Sequence, residues 1–212
     1  MIRVLVADDH ALVRAGLKHI LGMTGEIKVV GEACNGQEVM VEARHTPCDV
    51  VLLDIGMPGR SGLDVLKQLR AEHPGLAVLI LTMYPEEQYA VRALRAGAAG
   101  YLTKDSGPDE LVNAVRKVAS GGRYVSMRTA ESLAFEVQGR FRQSPHEALS
   151  DRELQVLCMI ARGKTVKEIA KELTLSPKTV STYRSRVLAK LSLRNNSEIA
   201  YYAVKEGLVD YP

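Results

Sequence analysis

Up to about residue 122, short apolar runs alternate with longer segments of helical period. The runs at 3–7, 28–33, 49–53, 77–81 and 100–102 predict five strands. Those at 50–53 and 77–81 are continuously apolar, as strands covered on both faces are. Helices are predicted between them at about 11–22, 36–45, 62–72, 86–96 and 108–121. In the third, Leu63, Leu66 and Leu69 recur with the 3.6-residue rhythm that turns one face toward a sheet. Five strand-then-helix repeats predict an α/β fold with a doubly wound parallel sheet.

The Ser120-Gly121-Gly122 cluster is expected to close this domain (1–122). Residues 123–148 are mixed, with Gly139 and the Ser144-Pro145 break, and read as a linker containing a short helix. From 149 to 212 the pattern is wholly helical, at about 151–161, 165–172, 176–191 and 195–206, predicting an all-α four-helix domain. Composition adds little to this division. Apolar residues make up 46% of the 212, enough to bury a core. No apolar run approaches the ~20 residues of a spanning helix, and Met1–Ala7 lacks the long apolar region of a signal peptide. A cytoplasmic protein without membrane partners is expected. Cys34, Cys48 and Cys158 are far apart, without zinc or redox spacing, and are expected to be reduced thiols. The net charge is +3 and is carried by the C-terminal part.

In an open parallel sheet, ligands bind beyond the carboxyl ends of the strands, where strand order reverses. Asp8 and Asp9 follow the first strand and Asp54 ends the third. In the flavodoxin-like order 2-1-3-4-5 these strands are neighbours, so three carboxylates converge. Their repulsion calls for a cation, and oxygen ligands suit Mg²⁺. Thr82 after the fourth strand offers a hydroxyl, and Lys104 after the fifth a point charge, for a phosphoryl group. The set fits phosphoryl transfer with Asp54 as nucleophile. His10, a neighbour of these acids with no partner of its own, is read as structural.

The motifs Asp8-Asp9-His10, Asp54-Ile55-Gly56-Met57-Pro58-Gly59-Arg60-Ser61-Gly62, Leu81-Thr82-Met83 and Gly97-Ala98-Ala99-Gly100-Tyr101-Leu102-Thr103-Lys104 resemble those of two-component receiver domains. The resemblance implies that Asp54 takes phosphate from a sensor histidine kinase. It also implies that Asp8, Asp9, Asp54 and the Gly56 carbonyl hold Mg²⁺, and that Thr82 and Tyr101 form a switch pair, with Thr82 moving toward phosphate as Tyr101 turns inward. Many receivers follow the strand-end Lys with Pro. This chain has Lys104-Asp105, which leaves open whether that bond is cis.

Residues 165–191 have helix-turn-helix arithmetic. Val166, Ile169, Ala170 and Leu173 share one face of the first helix, Thr174-Leu175-Ser176 make the turn, and Ser176-Pro177 reads as an N-cap followed by Pro at N1. In the second helix Val180, Val187, Leu188 and Leu191 form the expected buried side, with Tyr183 at its edge. The other faces carry Lys178, Thr179, Ser181, Thr182, Arg184, Ser185, Arg186 and Lys190, four cations and no acid. Such a helix suits a phosphate-lined major groove of double-stranded DNA. Lys178, Arg184, Arg186 and Lys190 are phosphate candidates, while Ser181, Thr182 and Ser185 are placed for base edges.

Residues 149–154 (Leu-Ser-Asp-Arg-Glu-Leu) through Lys190-Leu191 look like the LuxR-type domain. With the receiver, nearly the entire chain is similar to the NarL/FixJ class of response regulators. Ser144-Pro145, Glu147-Ala148-Leu149-Ser150 and the ending Gly207-Leu208-Val209-Asp210 look most like its GacA/UvrY branch. The resemblance implies a transcription regulator rather than an enzyme, whose phosphorylation releases the DNA-binding domain to homodimerise on promoters. Two alternatives stand beside it. One is a phosphate-independent DNA binder that uses the receiver as a dimerisation scaffold. The other is an aspartyl-phosphate phosphatase, disfavoured because Ile55-Gly56 replaces a second acid after Asp54.

Overall fold

A computed structural model of the chain describes residues 1–127, 129–131, 133 and 144–209, and only the backbone of residue 87. The chain forms two compact units, within residues 1–138 and 139–212.

The first unit holds β1 (Ile2–Ala7), α1 (Ala11–Gly22), β2 (Ile27–Ala33), α2 (Gly36–His45), β3 (Val50–Leu53), α3 (Gly62–Glu72), β4 (Ala77–Thr82), α4 (Glu86–Arg95), β5 (Gly100–Thr103) and α5 (Pro108–Ala119). All pairings are parallel, and the sheet order is β2-β1-β3-β4-β5, the flavodoxin-like order expected. β3 is buried at every position, and β4 at all but its first, because helices cover both faces. Leu63, Leu66 and Leu69 bury the face of α3, as their spacing predicted. Gly62 starts that helix against the β3 end. A side chain there would lie 2.3 Å from the Ile55 Cα, so the close packing of the β3–α3 loop requires glycine.

The packing of this unit continues past Gly122. Tyr124 forms a parallel bridge with Gly100 on the outer edge of β5, and Arg123 donates to the Ala98 carbonyl at 2.8 Å. The linker with a short helix expected over 123–148 falls partly on 134–143, outside the described residues. On either side, residues 127, 129–131 and 133 are helical and Pro145–Ala148 forms a 3₁₀ turn.

The second unit contains α6 (Asp151–Ala161), α7 (Val166–Glu172), α8 (Pro177–Lys190) and α9 (Asn196–Lys205), the four helices predicted. Each begins with a side-chain cap. Ser150 with Glu153, and Thr165 with Glu168, form reciprocal capping boxes. Ser176 and Asn195 accept from Thr179 and Glu198 N–H groups. Val180 and Val187 of α8 are fully buried, whereas Leu188 and Leu191, expected on the same side, are only half-buried. The α7–α8 turn passes through Thr174 at φ 54°, and the turn after α8 through Ser192 at φ 55°. Among the described residues, no helix is long and apolar enough to cross a membrane, and all three cysteines are free thiols.

Candidate phosphoryl site and DNA-binding helix

The parallel sheet delivers Asp8, Asp54, Thr82 and Lys104 to one end. Asp8 follows β1, Asp54 follows β3, Thr82 closes β4 and Lys104 follows β5. Backbone bonds fix the ends. The Asp54 N–H donates to the Ala7 carbonyl at 2.9 Å, and the Lys104 N–H donates to the Thr82 carbonyl at 2.8 Å. Asp8, Asp54 and Thr82 are 1%, 5% and 0% exposed, so these polar groups must satisfy one another.

They do so around Asp54. Its Oδ1 accepts from the Thr82 hydroxyl at 2.8 Å and from the Gly56 N–H at 2.7 Å. Its Oδ2 meets the Lys104 ammonium at 2.5 Å, and the same ammonium lies 2.6 Å from Asp8 Oδ2. One cation therefore bridges two buried carboxylates from different strands. Burial by itself would lower the Lys104 pKa, but the charge and hydrogen bonds of Asp54, with those of Asp8, outweigh it and hold the ammonium above its ordinary value.

Asp9 is exposed beside this pair, and His10 occupies the rim. The His10 N–H donates to Asp8 Oδ1 at 2.9 Å, and its Nδ1 lies 3.1 Å from Asp9 Oδ1 and 3.4 Å from Asp8 Oδ1. His10 thus has partners that its sequence context did not reveal. The donor atoms of Asp8, Asp9 and His10 fall within 4.8 Å of one another. Tyr101 is buried, its hydroxyl donating to the Tyr84 carbonyl at 2.9 Å, and the Tyr84 and Tyr89 rings pack at 4.9 Å. The Lys104–Asp105 bond is trans, which settles the question the sequence left open.

In the second unit, α8 presents Lys178, Ser181, Thr182, Ser185 and Arg186 as exposed residues, with Thr179 and Arg184 half-buried. Its cations divide by partner. Lys190 pairs with the buried Glu153 carboxylate at 2.6 Å and donates to the Ala148 carbonyl at 3.1 Å. Arg184 donates to Asn196 Oδ1 at 2.6 Å, at the start of α9. For Lys178 and Arg186, no partner is recorded among the described residues. Two hydroxyls bond locally along the helix: Thr182 donates to the Lys178 carbonyl one turn earlier, and the Thr179 hydroxyl contacts that of the Ser176 cap. Glu153 and Asn196, missed as functional positions, are what separates the two kinds of cation. The Ser150–Glu153 capping signature was visible in the sequence, but the second partner of Glu153, 37 residues away, was not.

Residues 4–116 match the family model for the response regulator receiver domain, and residues 147–203 match that for bacterial regulatory proteins of the luxR family. The chain belongs to the LuxR-type response regulators. It is 44% identical over 211 residues to the response regulator GacA of Pseudomonas viridiflava, covering 99% of each chain. It is 41% identical over 209 residues to UvrY of Escherichia coli (strain K12), covering 98% of this chain and 96% of that one. The GacA/UvrY branch is thereby supported. Among solved structures, RcsB from Salmonella enterica serovar Typhimurium, bound to the promoter rprA in the presence of phosphomimetic BeF3⁻, is 27% identical. That match covers 95% of this chain and 98% of that one, with a TM-score of 0.65. LuxR-type response regulators are two-component proteins that bind DNA to regulate transcription, and they interact with sensor kinases.

Proposed function

We propose that this regulator accepts phosphate on Asp54 from a sensor histidine kinase and passes the change to promoter binding through α8. The observation that carries the reading is the convergence on Asp54 of the Thr82 hydroxyl, the Gly56 N–H and the Lys104 ammonium. In the transfer, an Asp54 carboxylate oxygen forms a P–O bond while the P–N bond of the donor phosphohistidine breaks. The electron pair of that bond leaves with the imidazole. Lys104 and Thr82 are placed to take the charge and hydrogen-bonding of the incoming phosphoryl oxygens, as preorganised donors do.

The donor set also fits Mg²⁺. Asp8, Asp9 and Asp54 offer hard oxygen ligands at the same end of the sheet: Asp8 and Asp9 lie close together, and Asp8 and Asp54 already share one cation. Asp8, Asp9 and Asp54 would hold the ion with the Gly56 carbonyl, and the bound ion would neutralise phosphoryl charge. The observed contact of Gly56 is through its N–H, so the role of its carbonyl rests on the family resemblance.

For DNA, Lys178 and Arg186 are the proposed phosphate contacts of α8, and Ser181, Thr182 and Ser185 its base-facing residues, with Thr179 at the N-terminal end. Arg184 and Lys190, the other two phosphate candidates, are engaged within the unit. The working division is a receiver over 1–122, a linker over 123–148 and a DNA-binding domain over 149–212. Phosphorylation releases the last to form a homodimer on DNA. The protein acts in the cytoplasm, as a regulator and not as an enzyme on metabolites. Labelling with radioactive acetyl phosphate and Mg²⁺ tests the central assignment. Wild type should incorporate phosphate and Asp54→Asn none, and equal labelling of the two would overturn the site.

A further inference from the structure

The segment that follows α5 packs against other elements of the first unit at two points, and both lie on elements that flank the phosphoryl site. Tyr124 lies against the β5 edge. Its N–H donates to the Ala99 carbonyl at 2.9 Å, and its carbonyl accepts from the Tyr101 N–H at 3.2 Å. Gly100 permits this approach, since a Cβ there would stand 2.6 Å from the Tyr124 carbonyl oxygen. The Tyr124 hydroxyl is held by Glu110 at 3.0 Å, and the Lys117 ammonium lies 5.7 Å from its ring centroid. Five residues on, Thr129 is 4% exposed and its hydroxyl donates to Glu86 Oε1 at 2.5 Å.

Glu86 is the first residue of α4, and the loop before it follows directly on Thr82, the last residue of β4, whose hydroxyl is on Asp54. Midway in that loop the Tyr84 carbonyl holds the Tyr101 hydroxyl. Thr82, Tyr84 and Glu86 thus grip, in turn, Asp54, β5 and the outgoing segment. Tyr101 also touches that segment through its own N–H. Nothing in the phosphoryl chemistry needs the Glu86–Thr129 bond, yet the bond places a buried hydroxyl of the outgoing chain four residues from Thr82.

We propose that Glu86 and Thr129 are the positioning pair through which the state of Asp54 reaches the linker. The proposal rests on the phosphoacceptor reading above. When Asp54 carries phosphate, the Thr82 hydroxyl follows the phosphoryl oxygens and draws the 82–86 loop with it. Glu86 moves off Thr129, and the strap from Tyr124 to Thr129 loosens. A two-state element is then biased by a change in one hydrogen-bond partner.

Amide hydrogen exchange of the full chain, with and without acetyl phosphate and Mg²⁺, tests this, with Asp54 labelling measured on the same samples. In wild type, labelling should raise exchange at the Tyr101, Tyr124 and Ala130 amides at least fivefold. Thr129→Val keeps the shape of the buried side chain and removes the hydroxyl. It should label as wild type does, exchange faster at these amides before labelling, and respond less than twofold. Thr129→Ser, which restores the hydroxyl, should behave as wild type. A labelled wild type with unchanged exchange at 124–130, or a Thr129→Val protein with the full wild-type response, overturns the coupling. Failure of wild type to label at all would instead overturn the phosphoacceptor reading, and the proposal with it.

Discussion

The two charged regions of this protein solve opposite problems. At the receiver site, Asp8 and Asp54 are buried and share one ammonium, so each charge is defined by its neighbours. On α8, the cations lie at the surface, and what distinguishes them is whether the unit's own acceptors reach them. Lys190 is taken by Glu153 and Ala148, and Arg184 by Asn196, while Lys178 and Arg186 face outward. In a buried site, position in the fold implies the partner, because an unpaired charge there costs several kcal/mol. On an exposed helix, residue type gives the charge and leaves the partner open.

The largest expected effect breaks the buried side of this contrast. Lys104→Met removes the bridging ammonium and leaves two carboxylates without a cation. Unfolding free energy in EDTA should fall by about 3 kcal/mol, the scale for breaking a buried pair. On the proposed Mg²⁺ site, the bound ion would replace the missing charge, so Mg²⁺ should return part of the loss. Urea unfolding with and without Mg²⁺ reads both numbers. An unchanged midpoint in EDTA would mean that water already screens the pair and the two regions are alike.

Glu153 offers a second probe, because it brings buried-site behaviour into the DNA-binding unit. Its residue is 2% exposed. Burial would raise its pKa, but Lys190 and the Ser150 cap outweigh it and hold the carboxyl below the ordinary range. A depressed folded pKa means stability that is present above the unfolded value, about 4.3, and lost as pH falls through the folded value. Glu153→Gln should therefore cost about 1–2 kcal/mol at pH 7, and its stability should fall less steeply than wild type below about pH 4. Hydrogen exchange in α6, followed from pH 7 to pH 3 and corrected for intrinsic rates, measures the difference.

The same contrast explains what the sequence disclosed. The five strands follow from periodicity, and the convergence of Asp8, Asp54, Thr82 and Lys104 follows once the flavodoxin-like order is taken, from the rule that places ligands at strand carboxyl ends. Each residue had only one strand end to occupy. The helix-turn-helix was equally plain, since Ser176-Pro177 marks where α8 starts. The partners of Lys190 and Arg184 were not legible, because Glu153 and Asn196 reach them only through tertiary packing. Nor was the burial of Leu188 and Leu191, which depends on how much neighbouring surface α8 finds. The return of Tyr124 to the β5 edge lies beyond Gly121-Gly122, where turn chemistry signals an ending and no local pattern signals a bridge. His10 was read as structural because a lone imidazole has no periodicity to betray the carboxylates above which it sits.

Salt dependence sharpens the surface side. Each phosphate contact neutralised by a cation contributes about 0.9 to the slope of log affinity against log salt. Lys178→Ala and Arg186→Ala should each lower that slope by about one contact on a mixed-sequence duplex, at a cost of about 1 kcal/mol near physiological salt. Lys190→Ala should leave the slope close to wild type and lower the stability of the second unit instead. A slope loss for Lys190→Ala equal to that of Lys178→Ala would return Lys190 to the DNA-facing set.

The smallest expected effect lies between the two helices of the DNA-binding motif. Thr174 occupies the left-handed region at φ 54°, which crowds a β-branched side chain against its own backbone and costs about 1–2 kcal/mol. Sequence reading placed the turn here but had no reason to expect that conformation of a threonine. Thr174→Gly removes the crowding but frees the unfolded chain, which takes back about 0.5–1 kcal/mol. The net should be a gain of about 0.5 kcal/mol. Thr174→Asn, which tolerates the same region while keeping a side chain, should gain at least as much. Since Thr174 is exposed and carries no charge, neither change should alter the salt slope of DNA binding. Urea midpoints of the two variants against wild type test the point, and a loss of stability in both would show that the surrounding packing, not the threonine, sets the turn.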